Sequence, residues 1–186
     1  SLLLKTAFAD VSLYDPSPGT EIRMSSNESA QISVAWLESG THPRLSQLHN
    51  YTMVLCSGPN GKIKPIQTLA DEISSKALRK NDYTFNATLS EIKDSGVFFI
   101  QVIAKGDKVV TIHYTNRFVV SKNGGKVDTT KADVRSPYPE TIFHGKKSQS
   151  LTSIKLKTEY YTLPYEAQAT IGPIKYASRR APPQSS

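Results

Sequence analysis

Cys56 is the only cysteine in a chain of 186 residues, so neither an internal disulfide framework nor a multi-cysteine zinc site can be built. Its neighbours, Tyr51-Thr-Met-Val-Leu, read as a core strand, which predicts a buried, inert thiol in preference to a reactive or intermolecular one. No run approaches the roughly 18 apolar residues of a membrane span. Hydrophobic residues make up only 38%, while Ser, Thr, Asn and Tyr are plentiful, a mixture common in extracellular β proteins. The four histidines, His42, His49, His113 and His144, form no His-x-His or i,i+4 pair, so no metal is expected. Gly-x-Ser-x-Gly is missing, and Asn123-Gly-Gly-Lys126 lacks the spacing of a phosphate-binding loop. Nothing here calls for a cofactor.

Paired carboxylates are also lacking. A glycoside hydrolase needs two of them about 5 to 9.5 Å apart on facing walls. Asp71 and Glu72 are adjacent and point to opposite faces of an extended chain, Asp94 sits in a turn, and Glu38, Glu159 and Glu166 carry no motif. No catalytic residue is assigned. The net charge of +7 is uneven: residues 1–120 hold 12 Lys+Arg against 11 Asp+Glu, and residues 121–186 hold 11 against 5. A basic tail after a nearly neutral domain does not predict a nucleic-acid partner. It suits an anionic partner such as a phosphorylated glycan, a lipid headgroup or an acidic protein, or simple solvation.

What is present points to the secretory pathway. Three sequons, Asn27-Glu-Ser29, Asn50-Tyr-Thr52 and Asn86-Ala-Thr88, fall within sixty residues, which places each acceptor at the surface if it carries a glycan. Leu2-Leu-Leu4 followed by Ala7-Phe-Ala9 looks like the end of a signal peptide, with cleavage between Ala9 and Asp10. Residues 1–9 are then the remnant of that peptide.

Strand patterns fill residues 10–121. Ile32, Val34 and Trp36 alternate with polar partners, Phe85 and Ala87 alternate with Asn86, and a hairpin turns at Gly106-Asp107. In its second arm Val110, Ile112, Tyr114, Phe118 and Val120 are expected on the core face, with Thr111, His113, Thr115 and Arg117 on the other. Residues 70–80 read equally as a short helix or an irregular connection. About seven short strands predict an all-β, immunoglobulin-like or fibronectin-III-like sandwich over 10–121. Asp94-x-Gly-x-Phe-x-Ile100 resembles the Asp-x-Gly-x-Tyr-x-Cys strand of immunoglobulin domains, without its phenol and cysteine. Residues 122–150 look like a polar linker, 151–177 like a strand-forming basic extension that docks on the sandwich, and 178–186 like a disordered end.

Three segments resemble the yeast and fungal KRE/KNH family of cell-wall β-1,6-glucan assembly proteins. They are Phe98–Val102 with Thr111-Ile-His-Tyr-Thr-Asn-Arg-Phe118, Thr52–Gly58, and Leu163-Pro-Tyr-Glu-Ala-Gln168 running on to Gly172–Ala177. The resemblance implies a secreted glycoprotein needed for β-1,6-glucan, with no established catalytic activity. Its implied partners are the glucan or the machinery that makes it. Family members continue with a further basic region, so the chain is expected to be truncated. Glucan binding uses aromatic faces beside amide and guanidinium donors, which makes His113, Asn116, Arg117, Tyr160, Tyr161 and Tyr165 the candidate contacts. A hydrolase or transglycosylase and a wall adhesion module are the competing readings.

Overall fold

A computed structural model of the chain describes residues 11–40 and 42–143. The strands are β1 (Val11–Asp15), β2 (Glu21–Arg23), β3 (Ala30–Glu38), β4 (Leu48–Ser57), β5 (Lys64–Ser74), β6 (Thr84–Leu89), β7 (Gly96–Gly106), β8 (Val109–Tyr114), β9 (Phe118–Ser121) and β10 (Glu140–Phe143), with one short helix, α1 (Ser75–Arg79). They form two sheets. The smaller has the order β1-β3-β6; the larger runs β10-β8-β7-β4-β5, with β9 added to β7 and β2 paired in parallel to β9. The ambiguous 70–80 stretch resolves into the end of β5 and then α1, whose first turn is capped by Ser74 accepting from the Lys76 amide at 3.3 Å.

The inner faces of both sheets supply the main core. Ile32, Val34 and Trp36 from β3 pack against Tyr51, Met53 and Leu55 from β4 and Ile100 and Val102 from β7. The strict alternation of these positions is what the period of a strand requires. Trp36 is fully buried, with its ring centroid 5.1 Å from Tyr51 and 5.9 Å from Tyr83. In the immunoglobulin-like strand, Phe98 and Ile100 point into this core.

β7 changes partner along its length. Residues 96–98 pair with β9, and residues 101–105 pair with β8. The switch is held by Thr115, whose amide donates to Ile100 O at 2.9 Å while its hydroxyl accepts from the Ile100 amide at 2.9 Å. Residues 115–117 leave the ladder there, and the period-two phase is reset. The expected single face from Val110 to Val120 is therefore corrected. Phe118 and Val120 belong to the inter-sheet core, whereas Val110, Ile112 and Tyr114 belong to a second apolar cluster on the outer face of the larger sheet.

The segment read as a polar linker is also corrected. Thr129–Lys131 forms a 3-10 turn, and Glu140–Phe143 becomes a strand, pairing antiparallel with β8 from Glu140 opposite Ile112 to Phe143 opposite Val109. With only four residues, β10 is too short for its alternation to emerge from a Ser-, Thr- and Pro-rich background.

Candidate functional site

Arg117 organises one end of the sandwich. Its guanidinium is buried, 4.5 Å above the Phe99 ring, and donates to Gly58 O at 3.0 Å, to Asn60 Oδ1 at 2.6 Å and to Arg135 O at 3.5 Å. Burial lowers its pKa, and Asp133, with Oδ2 3.9 Å from Nη2, acts against that shift. Asp133 in turn accepts the Asn60 amide at 2.7 Å. The β4–β5 turn, the β8–β9 break and the segment leading to β10 are thus tied at a single side chain. Gly58 makes the approach feasible: its φ is +91°, and a Cβ there would lie 2.5 Å from Lys62 O.

Three clefts run along the segment 123–136. The first, of about 800 Å³, lies between β2, β9 and the turn after β9, and includes Glu21, Arg23, Ser25, Ser121, Asn123 and Lys126. The second, of about 410 Å³, shares Lys126 and Val127 with the first and adds Arg117, Asp128, Lys131 and Asp133. The third, of about 560 Å³, shares Arg117 and Asp133 with the second and adds Tyr114, Asn116, Arg135 and Ser136. The lining mixes hydroxyl, amide and guanidinium groups with apolar walls such as Met24, Val97, Val119 and Val127, a surface suited to the polar edges and apolar faces of a hydroxyl-rich ligand.

The candidate contacts are distributed unequally over this surface. Asn116 lines the third cleft while donating to Pro16 O at 3.2 Å. Arg117 lines the second and third, but its donors are already engaged in the loops. His113 is corrected outright: it is buried on the inner face of β8, opposite Val102, and burial drives its pKa down to about 3. The phase reset at residues 115–117 is the physical reason. Tyr160, Tyr161 and Tyr165 lie outside the described residues, as do Ala9 and Asp10.

Asn27 is exposed in a turn, where its Oδ1 accepts from Ser25 Oγ and from Ser29 Oγ. Asn86 is exposed on β6, between inward-facing Phe85 and Ala87, and Asn50 is half-buried at the start of β4. The two carboxylates of the second cleft both serve the backbone: Asp133 as described, and Asp128 by accepting from the Thr130 hydroxyl at 2.5 Å and the Thr130 amide at 3.0 Å. Those bonds lower the Asp128 pKa, the hydroxyl first and the amide second. Among the described residues no three His, Cys, Asp or Glu side chains converge as a metal site. Sequence reasoning missed Glu21, Arg23, Lys126, Lys131 and Asp133. The turn signal at Asn123-Gly-Gly-Lys126 marked the place, but turn chemistry alone does not distinguish a loop that lines a cleft from one that does not.

The Kre9/KNH-like N-terminal Ig-like domain matches residues 15–120. Over 187 aligned positions the chain is 28% identical to the cell wall synthesis protein KRE9 of Saccharomyces cerevisiae, covering 98% of this chain and 67% of that protein. It is 32% identical to the cell wall synthesis protein KNH1 of the same yeast, covering 98% of this chain and 66% of that one. The chain therefore spans about two thirds of the length of these relatives. Among solved structures, the catalytic domain of Hypocrea jecorina LPMO9A aligns at 11% identity with a TM-score of 0.39, over 79% of this chain and 63% of that one, too weakly to carry an argument. With Trp36, its neighbours Tyr51 and Tyr83, and the immunoglobulin-like strand all inside the matched span, the chain belongs to the Kre9/KNH family.

Proposed function

We propose that this chain acts in cell-wall synthesis as a secreted glycoprotein for β-1,6-glucan assembly, binding the glucan or holding a glucan-forming enzyme without catalysing a reaction itself. The observation that carries this reading is the run of three neighbouring clefts along residues 123–136, whose polar lining includes Arg23, Asn123, Lys126 and Asn116. A neutral polysaccharide offers many hydroxyls and no charge, so its recognition relies on fixed amide, hydroxyl and guanidinium partners along an extended track. The cell-wall role of the relatives supports the same reading. Secretion rests on the three sequons, of which Asn27 and Asn86 are exposed.

The competing hydrolase would use the two carboxylates of the second cleft. A general acid of such an enzyme has its pKa raised, whereas the Thr130 bonds lower that of Asp128. Calorimetry with β-1,6- and β-1,3-linked gluco-oligosaccharides, together with product analysis, tests the proposal. Binding of the β-1,6 oligomer that weakens in Arg23→Ala and Asn123→Ala, with no products formed, is expected. Turnover abolished by Asp128→Asn or Asp133→Asn alone would replace binding with catalysis. No oligosaccharide binding and no retention of wall enzymes on the immobilised chain would leave the adhesion-module reading.

A further inference from the structure

The end of the sandwich away from the 123–136 clefts holds a separate cleft of about 660 Å³. β4 links the two ends. His49 at its start borders this cleft, Gly58 just after it borders the others, and its ten residues span roughly 30 Å. Three pieces of chain meet here: the loop before β4 with Pro43 and Gln47, the β7–β8 turn with Asp107, and the end of β10 with Phe143. The turn is seated so tightly on the loop that a Cβ on Gly106 would collide with Gln47 O, which holds the walls at a fixed separation. Phe143 is 49% exposed, at the end of a strand whose other three residues are buried. His49 Nε2 stands 3.2 Å from Asp107 Oδ1, and the Asp107 side chain is 87% exposed, so its carboxylate can accept from a ligand as well. Gln47 Oε1 takes the Arg44 amide at 2.8 Å, which fixes that side chain and leaves its NH2 to donate.

We propose that this cleft binds a hexopyranose residue of a neutral glycan. A pyranose ring has an apolar C–H face and a rim of hydroxyls, so its site needs an aromatic or apolar wall with donors and acceptors around it. Phe143 and Pro43 supply the wall, Asp107 the acceptor, and Gln47 with the imidazoles of His42 and His49 the donors. Other uses of these groups fit less well. Two imidazoles and a carboxylate suit a metal ion, but among the described residues no three such groups converge. A bound anion would face the Asp107 carboxylate. The site stands on its own residues. Together with the far clefts it gives the chain two sugar-binding ends roughly 30 Å apart, so that one molecule can hold two glucan strands, and this consequence alone rests on the proposed function of those clefts.

The two histidines are built-in probes. A β-1,6-linked glucose trisaccharide is titrated into the full chain while the imidazole C–H signals of His42 and His49 are followed by proton NMR, assigned with His42→Gln and His49→Gln. The His49 signal should shift saturably, and that of buried His113 should stay still. Phe143→Ala and Asp107→Ala should each weaken the response about tenfold, with unchanged emission from Trp36 in the core. Arg23→Ala, at the far end, should leave it as it is. A His49 shift that survives in Arg23→Ala supports the site whether or not the far clefts bind sugar. No shift at either histidine would overturn the proposal. So would a shift lost in Arg23→Ala, which places the sugar in the far clefts, or an equal response to inorganic phosphate, which makes this an anion site. If Phe143→Ala loses its Trp36 signal, Asp107→Ala on the exposed turn decides: a weakened response supports the site, and an unchanged one refutes it.

Discussion

Replacing Arg117 with alanine removes three hydrogen bonds, two of them at 3.0 Å or less, and a guanidinium resting 4.5 Å above the Phe99 ring. Each charge-assisted bond is worth about 1.5–3 kcal/mol, and a partly desolvated cation–π contact about 1–2 kcal/mol. Against these stands the cost of burying a guanidinium, several kcal/mol, and water entering the adjoining cleft can satisfy the released Gly58 carbonyl. The Asp133 carboxylate, 3.9 Å away and partly exposed, adds little. The net loss should be about 3 kcal/mol, which lowers Tm by roughly 6–12 °C for a chain of this size. Lysine at 117 keeps the charge but cannot fork between Gly58 and Asn60, and should lose about 2 kcal/mol. Denaturant titration followed by Trp36 fluorescence gives the energies, and hydrogen exchange over residues 58–62 and 133–136 locates the damage. The reasoning fails if Arg117→Ala costs less than about 0.5 kcal/mol, or if lysine serves as well as arginine.

His113 has a folded pKa depressed to about 3, so the unfolded chain binds a proton below about pH 6.5 that the fold rejects. Stability should be complete above that value and fall by about 1.4 kcal/mol per pH unit as pH drops toward 3; His113→Gln should flatten this slope in urea titrations at stepped pH. Gly58→Ala places a methyl 2.5 Å from Lys62 O at φ +91° and should destabilise by about 2 kcal/mol, with increased exchange at Asn60, read from the same melts and exchange maps. Chain produced in a eukaryotic secretory host should lose mass on enzymatic glycan removal, and Asn86→Gln should remove one glycan while changing stability by less than about 0.5 kcal/mol. An unmodified intact mass would contradict it.

How much of this was legible in the sequence depended on whether a strand had one wet face or two buried ones. β3 and β6 have one face toward water, so Ile32, Val34 and Trp36, and Phe85 and Ala87 around exposed Asn86, followed their alternation into the structure. In β8 all six residues are buried. Alternation there cannot tell inside from outside, and His113 looked like a solvent-side donor. The break at 115–117 was equally hidden, because the Thr115 bonds that cause it are to a strand fifteen residues earlier. Arg117 was legible as an important residue of the wrong kind: its type signalled recognition, but its ligands are Gly58, Asn60 and Arg135, scattered over the chain and meeting only after folding. The clefts along 123–136 arise from loops with no period to read.

The place where β10 joins β8 also decides where this fold can be cut. A fragment ended at residue 121, where strand-rich sequence gives way to polar residues, would strip β8 of its neighbour and leave the backbone groups of Val110 and Ile112 facing water along an apolar, six-residue edge. An uncovered edge of that kind recruits other chains and promotes aggregation. A fragment that keeps this pairing must run at least through Phe143, beyond the matched span that ends at residue 120. Expression trials, domain fusions and crystallisation attempts should carry those additional residues as part of the sandwich.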